Sequence, residues 1–241
     1  MLASWFCATD IGWPVVVHDD GTLSENARVA LRQSFGSALR IVDRAEADAE
    51  LDVRIKAFPF CDEFRTAHTQ ALKVFDTAHF SDADRFIVFD PDVLFFKEPR
   101  EIRAWADAGL ENCWFTEDAV EGALVTAAEA RDELGVKLWR RVDTGICLLS
   151  KAAIDLDFCD RALAQTSILK GTPDRIASTL LTLCASQLGA GGLLPKSYEV
   201  SMEGSVAADA VARHYIGTVR ERFCTEGVSR IREKVLNVGE D

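Results

Sequence analysis

No apolar run in this 241-residue chain approaches the roughly 20 residues of a membrane span. Its seven cysteines, Cys7, Cys61, Cys113, Cys147, Cys159, Cys184 and Cys224, form no C-x-x-C pair. That excludes a thiolate zinc site of the usual spacing and argues against a disulfide framework. The cysteines read instead as small buried hydrophobes in a reducing compartment. Met1 to Thr9 has neither a basic start nor a long apolar stretch, the two parts of a signal peptide. The expected setting is cytoplasmic. Positive charge is also short: 27 Lys and Arg stand against 39 Asp and Glu, a formal net charge of −12. Such a surface repels phosphate polymers and anionic lipid, which speaks against nucleic acid as a partner. A small anionic substrate stays compatible, because one bound cation and a few local bases reverse the sign inside a cleft.

What is present suits a single globular domain, taken here as residues 1–241. The chain is 48% hydrophobic and 27% charged, with no repeat, linker or low-complexity block. Strands alternate with helices, which predicts an α/β fold with a mostly parallel central sheet flanked by helices. Pro14 to Val17 is a buried-strand run, and Ser24 caps a helix that ends at Gly36. Ala38 to Val42 is a second strand. The spacing of Ala67, Ala71, Leu72, Phe75 and Ala78 predicts one longer helix over 66–79. The strongest strand, Arg85 to Phe89, ends at Asp90-Pro91-Asp92. Pro99 opens a helix through Ile102 and Trp105. Thr126 and Glu129 have capping-box spacing. Cys113 to Phe115 and Gly145 to Leu149 are strands, Thr172 to Leu188 is a helix stopped by Gly189, and Arg213 to Ile216 is a late strand.

Asp90 and Asp92 carry the chemistry. On an extended chain, residues two apart point the same way. Both carboxylates can then meet at one point beyond the strand, where ligands of open α/β sheets sit. Two hard oxygen ligands suit Mg²⁺ or Mn²⁺ bridging a diphosphate. The D-x-D pattern alone is common, and this chain also has Asp82-Ala83-Asp84 and Asp155-Leu156-Asp157. The apolar residues on both sides single out the pair at 90 and 92. The bland reading is a solvated strand-end turn. Phe95 and Phe96 read as core, as do Trp105, Trp114 and Trp139. Lys73, on a helix face beside Phe75, is a second possible donor contact, with a solvated surface lysine as the bland alternative.

Arg85 to Pro99, RFIVFDPDVLFFKEP, resembles the metal-binding strand of glycosyltransferases with the A-type fold. His214-Tyr215-Ile216-Gly217-Thr218-Val219-Arg220 is similar to the H-x-x-G-x-x-K motif of the glycogenin-like branch, with Arg220 where that motif has Lys. The resemblance implies that His214 is the third metal ligand, and that Gly217 and Arg220 lie against the donor diphosphate. Val142-Asp143-Thr144-Gly145-Ile146 is similar to the N-x-G segment of the sugar pocket, with Asp143 for Asn and Gly145 in place. Thr172-Pro173-Asp174-Arg175 stands where the group has an acidic residue before a helix, which marks Asp174 for sugar contact or acceptor activation. Leu194 to Tyr198 resembles the L-P-x-x-Y turn. Val17-His18-Asp19-Asp20-Gly21-Thr22 resembles the D-D-G-S segment, and implies that Asp19 and Asp20 contact the nucleoside base. Together these matches cover Val15 to Arg230.

The implied activity is metal-dependent transfer of a sugar from a nucleoside-diphosphate sugar, a UDP-sugar first among these, to a carbohydrate, lipid or protein acceptor. A neutral imidazole beside carboxylates leans toward Mn²⁺. The resemblance also implies a strand and helix ahead of the D-D-G turn. Fourteen residues precede Val15, and Leu2 to Trp5 reads as the tail of that helix. The expectation is a sheet without its first strand, its open edge available to a second copy. Two other readings stand beside this one. A degenerate domain would bind a nucleotide sugar or a partner without turnover. A haloacid-dehalogenase-like phosphatase would use D-x-D-G-T-L, but Val15 to Leu23 puts His18 at the nucleophile, where no aspartyl-phosphate can form.

Overall fold

In the computed structural model, which describes residues 1–9 and 12–232, a short helix, α1 (Leu2–Ala8), buries Trp5. The valine run forms β1 (Val15–His18), as β-branched side chains favour. In α2 (Glu25–Phe35) the Ser24 side chain accepts from the Ala27 amide, and Gly36 ends the helix at φ +53, which only glycine adopts without steric cost. β2 (Leu39–Val42) lies parallel to β1. Then comes α3 (Arg44–Ile55), absent from the sequence expectation. Its buried stripe is three residues, Ala47, Leu51 and Ile55, among exposed charges, too thin to stand out as a period.

The single helix expected over 66–79 is corrected. The chain forms α4 (Pro59–Ala67), a 3-10 stretch at Thr69–Lys73 and α5 (Phe75–His79). His68 is extended, at φ −140 and ψ 125, and this ends α4. Ala71, Leu72, Phe75 and Ala78 are nevertheless all buried. Ala67, before the break, is exposed, so the apolar spacing holds from Ala71 on and does not carry across His68.

Beyond it lie β3 (Arg85–Phe89), β4 (Val93–Phe95), α6 (Arg100–Ala108), β5 (Cys113–Glu117) and α7 (Ala127–Leu134). Both bonds of the Thr126–Glu129 capping box are made. β6 (Val142–Ser150) is buried along all nine residues. α8 (Leu156–Gln165) and α9 (Pro173–Leu188) follow, then β7 (Gly191–Leu193), β8 (Tyr198–Val200) and β9 (Ala212–His214). Phe95 and Phe96 are core residues, as expected. Of the cysteines, Cys7 and Cys224 are exposed and the other five are buried. Among the described residues no helix is long and apolar enough to cross a membrane.

The fold is mixed α/β, with a central sheet of order β3-β6-β5-β7 flanked by helices, a two-stranded β1-β2 sheet and a three-stranded β4-β9-β8 sheet. The expected parallel character holds for β1–β2, β5–β7 and β8–β9. It is corrected for β3–β6, β5–β6 and β4–β9, which are antiparallel. Strand–helix alternation implies parallel crossovers, but the segment from β5 through α7 reverses the chain before β6. α9 packs on β6 and α8 and buries ten of its side chains. At roughly 1.5–3 kcal/mol for each large apolar side chain, that contact anchors β6, the strand on which the site is built.

Candidate metal centre

β3 belongs to the central sheet and β4 to the three-stranded sheet. The chain crosses between them at Asp90-Pro91-Asp92. The Val93 amide donates to the Asp90 carbonyl at 3.1 Å, so these residues form a turn with Pro91 at its second position, a place that proline's fixed φ favours. The extended geometry expected for the pair is thereby corrected, yet the two carboxylates still converge. The Asp90 amide donates to Gly145 on β6 (2.9 Å), and the Tyr215 amide donates to Asp92 (3.0 Å). In the β4–β9 ladder His214 lies opposite Val93. Residues more than a hundred positions apart are brought together this way.

One ligand atom from each of Asp90, Asp92 and His214 lies within 4.8 Å of the others. His214 Nε2 is 3.1 Å from Asp92 Oδ1 and 3.7 Å from Asp90 Oδ2. Neighbouring donors at about 2.1 Å from an octahedral ion are about 3 Å apart, so two carboxylates and an imidazole fit Mn²⁺ or Mg²⁺ here.

Cations surround the carboxylates. Lys73 donates to Asp90 Oδ1 at 2.6 Å and to Thr144 at 3.3 Å. Arg220 donates to Asp92 Oδ2 at 3.0 Å. Burial by itself would raise the Asp92 carboxyl, but His214 and Arg220 outweigh it and hold it below its ordinary value. Burial likewise opposes a charged Lys73, and Asp90 more than offsets that, so its ammonium is held. His214 is buried, which lowers its pKa, but its hydrogen bonds to the Asp143 and Asp92 carboxylates prevail and push it up to about 9. Three carboxylates and three basic groups thus balance one another.

The other expected site residues divide into two groups. Lys73, Asp143, Asp174, Gly217 and Arg220 line the cavity that contains the triad, of about 1640 Å³. Gly217, at φ +53, forms the turn that leads from β9 to Arg220. Asp174 is exposed at the start of α9, and the neighbouring Arg175 is held by the Gly122 carbonyl at 2.8 Å. Asp20 also borders this cavity, bonded to Thr22. Asp19 departs from the base-contacting role. It is buried, pairs with Arg28, and accepts the Gly21 and Leu23 amides at 2.9 and 3.0 Å. Its carboxylate closes the turn after β1, because a buried charge must be paired and hydrogen-bonded. Asp143 is not a free acid either. It contacts His214 Nδ1 at 3.0 Å and accepts from Thr116 Oγ1 at 2.6 Å. Thr116 and Thr144 were missed by sequence reasoning, and no local pattern marks them. Tyr198 of the L-P-x-x-Y turn is buried and donates to Glu101 at 2.9 Å.

No protein-family profile matches the chain, and no curated protein matches it. Among solved structures the chain is similar to the apo crystal structure of mouse xyloside xylosyltransferase 1. That similarity has a TM-score of 0.40 and 12% identity over 88% of each chain.

Proposed function

We propose that the protein is a metal-dependent glycosyltransferase that moves a sugar from a nucleoside-diphosphate sugar, a UDP-sugar in the first instance, to an acceptor hydroxyl. The observation that supports this most is the meeting of Asp90, Asp92 and His214 at one point on the wall of a large cavity, ringed by Lys73 and Arg220. Transfer breaks the bond between the anomeric carbon and the diphosphate, and negative charge grows on the leaving oxygen. A divalent ion held by the triad supplies the counter-charge when bound. Arg220, 69% exposed at its side chain, can swing from Asp92 to the diphosphate, and its planar fork suits phosphate oxygens. Lys73 is placed to do the same from Asp90. Both donors aim at the place where charge develops, the usual basis of electrostatic catalysis. Asp174, on the rim of the same cavity, is assigned to sugar contact or to proton abstraction from the acceptor. A cytoplasmic setting is part of this reading, on the sequence argument.

The test is a melting-temperature series with Mn²⁺ and UDP together and separately. The pair is expected to raise Tm, because any ligand that binds only the native state stabilises it, by about 2.7 kcal/mol at a hundredfold excess over Kd. Asp92→Ala should abolish the rise. Release of UDP from a UDP-sugar then separates an enzyme from a domain that binds the donor without turnover. No shift with any nucleoside diphosphate would sink the assignment.

A further inference from the structure

Three consecutive residues of β6 touch three different parts of the metal centre. Asp143 holds the His214 ring, at 3.0 and 3.1 Å from its two oxygens to Nδ1. Thr144 Oγ1 accepts from Lys73, which itself grips Asp90. The Gly145 carbonyl accepts the Asp90 amide at 2.9 Å. This run sits where the β5–β6 ladder shifts register. Phe115 pairs with Cys147 and Thr116 with Asp143, so Thr144, Gly145 and Ile146 have no partner on β5. Irregularities of this kind re-aim side chains beside functional sites.

We propose that Asp143 and Gly145 are positioning residues that hold the His214 ring in the orientation and place from which Nε2 can bind a metal. The inference rests on the metal-centre reading above. Thr116 Oγ1 donates to Asp143 Oδ2 at 2.6 Å and the Gly145 amide donates to it at 2.9 Å. The third group facing this carboxylate is Nδ1 of His214. A carboxylate only accepts, so Nδ1 carries a proton toward Asp143, and Nε2 faces Asp90 and Asp92, where a bound ion displaces the proton that these carboxylates otherwise hold on it. Holding the far nitrogen of a ligand imidazole with a carboxylate is a general way to orient it for a metal.

Gly145 supplies the space. A Cβ there would stand 2.2 Å from His214 Nδ1 and 2.5 Å from Cγ. Its φ is not in the left-handed region, so its lack of a side chain answers to the ring and not to backbone strain. Asparagine at 143 would fill the same volume but carry one acceptor instead of two. With its oxygen turned to Thr116 and Gly145, its amide N–H would face Nδ1. Nδ1 would then lose its proton, and the only ring proton would stand on Nε2, the metal-facing nitrogen.

The test uses wild type, Asp143→Asn and Gly145→Ala of the full chain. Ring ¹⁵N–¹H NMR in metal-free buffer reads whether Nδ1 of His214 carries a proton. Titration with Mn²⁺, followed by its EPR signal, reads affinity. Expected in wild type is a proton on Nδ1 and Mn²⁺ binding. Asp143→Asn, folded by circular dichroism, is expected to lose the Nδ1 proton and weaken Mn²⁺ binding by about 10–100-fold. Gly145→Ala should weaken it as well, and it carries the test if Asp143→Asn does not fold. Folded variants that keep the Nδ1 proton and bind Mn²⁺ as wild type does would overturn the proposal and leave the metal centre standing. A wild type with the Nδ1 proton on Asp143 but no affinity for Mn²⁺ would remove the metal reading and leave the ring-positioning claim intact.

Discussion

The Arg65 guanidinium lies on Asp76 with two bonds, Nε to Oδ1 at 2.9 Å and Nη2 to Oδ2 at 2.8 Å, and Asp76 is fully buried. A second acid, Asp48, takes Arg65 Nη1 at 2.8 Å. Removing one partner of such a pair strands a charge out of water. Asp76→Ala is therefore expected to cost about 3–5 kcal/mol, read as a lower urea midpoint. Asp48→Ala, at a half-exposed site, should cost far less. His18 gives a second residue-scale prediction. It is half-buried, and among the described residues Nδ1 has no hydrogen-bond partner. Burial, the largest influence, lowers its pKa beneath the ordinary 6.5 despite Asp76. The native state then binds fewer protons than the unfolded one near pH 6.5, so stability from this group is full above that value and falls as pH drops through it. His18→Asn should flatten the slope of the unfolding midpoint between pH 7 and 5.5. An unchanged slope would contradict this. At this scale the sequence showed Asp90, Asp92 and His214 because each stands in a short run of its own. It could not show that Asp19 closes onto Arg28 or that Asp143 closes onto His214, since those pairings depend on registers and turns that no local pattern encodes.

Among the elements, caps and turn residues were the most legible signals, because their chemistry is local. Ser24, Gly36, Thr126, Pro173 and Gly189 all stand where helices start or stop. Thr126→Ala removes the acceptor for the Glu129 amide and is expected to cost about 1 kcal/mol, measurable by chemical denaturation. Apolar period was a weaker guide. It joined the last two residues of α4, the 3-10 stretch and α5 into one helix over 66–79, and it passed over α3 and the rest of α4. In both cases the buried face was real and its continuity was not. The register shift in β6 lay wholly beyond the sequence, yet it is what presents Asp143, Thr144 and Gly145 to the metal centre. Strand order could not be read either, because alternation of strand and helix is silent on a reversal such as the one ahead of β6.

Across the whole molecule, the candidate site stands where two sheets are joined by a single turn, with two side chains from the turn and one from β9. The cavity that reaches it also runs between β1 and β3, and Val16, Val17, Phe86 and Ile87 line it. Among the described residues β1 pairs only with β2, and β3 only with β6. Amides of β1 and β3 that point into the cavity are expected to exchange with deuterium well before those of β6, which is paired on both sides. Equal protection of all three strands would contradict the open-edged architecture. The central claim is that two carboxylates and one imidazole from separate sheets share an ion. Pulsed EPR of Mn²⁺ bound to the full chain tests it most directly. The account predicts nitrogen coupling from one imidazole, lost in His214→Gln. Bound Mn²⁺ without nitrogen coupling, or coupling that persists in folded His214→Gln, would contradict it.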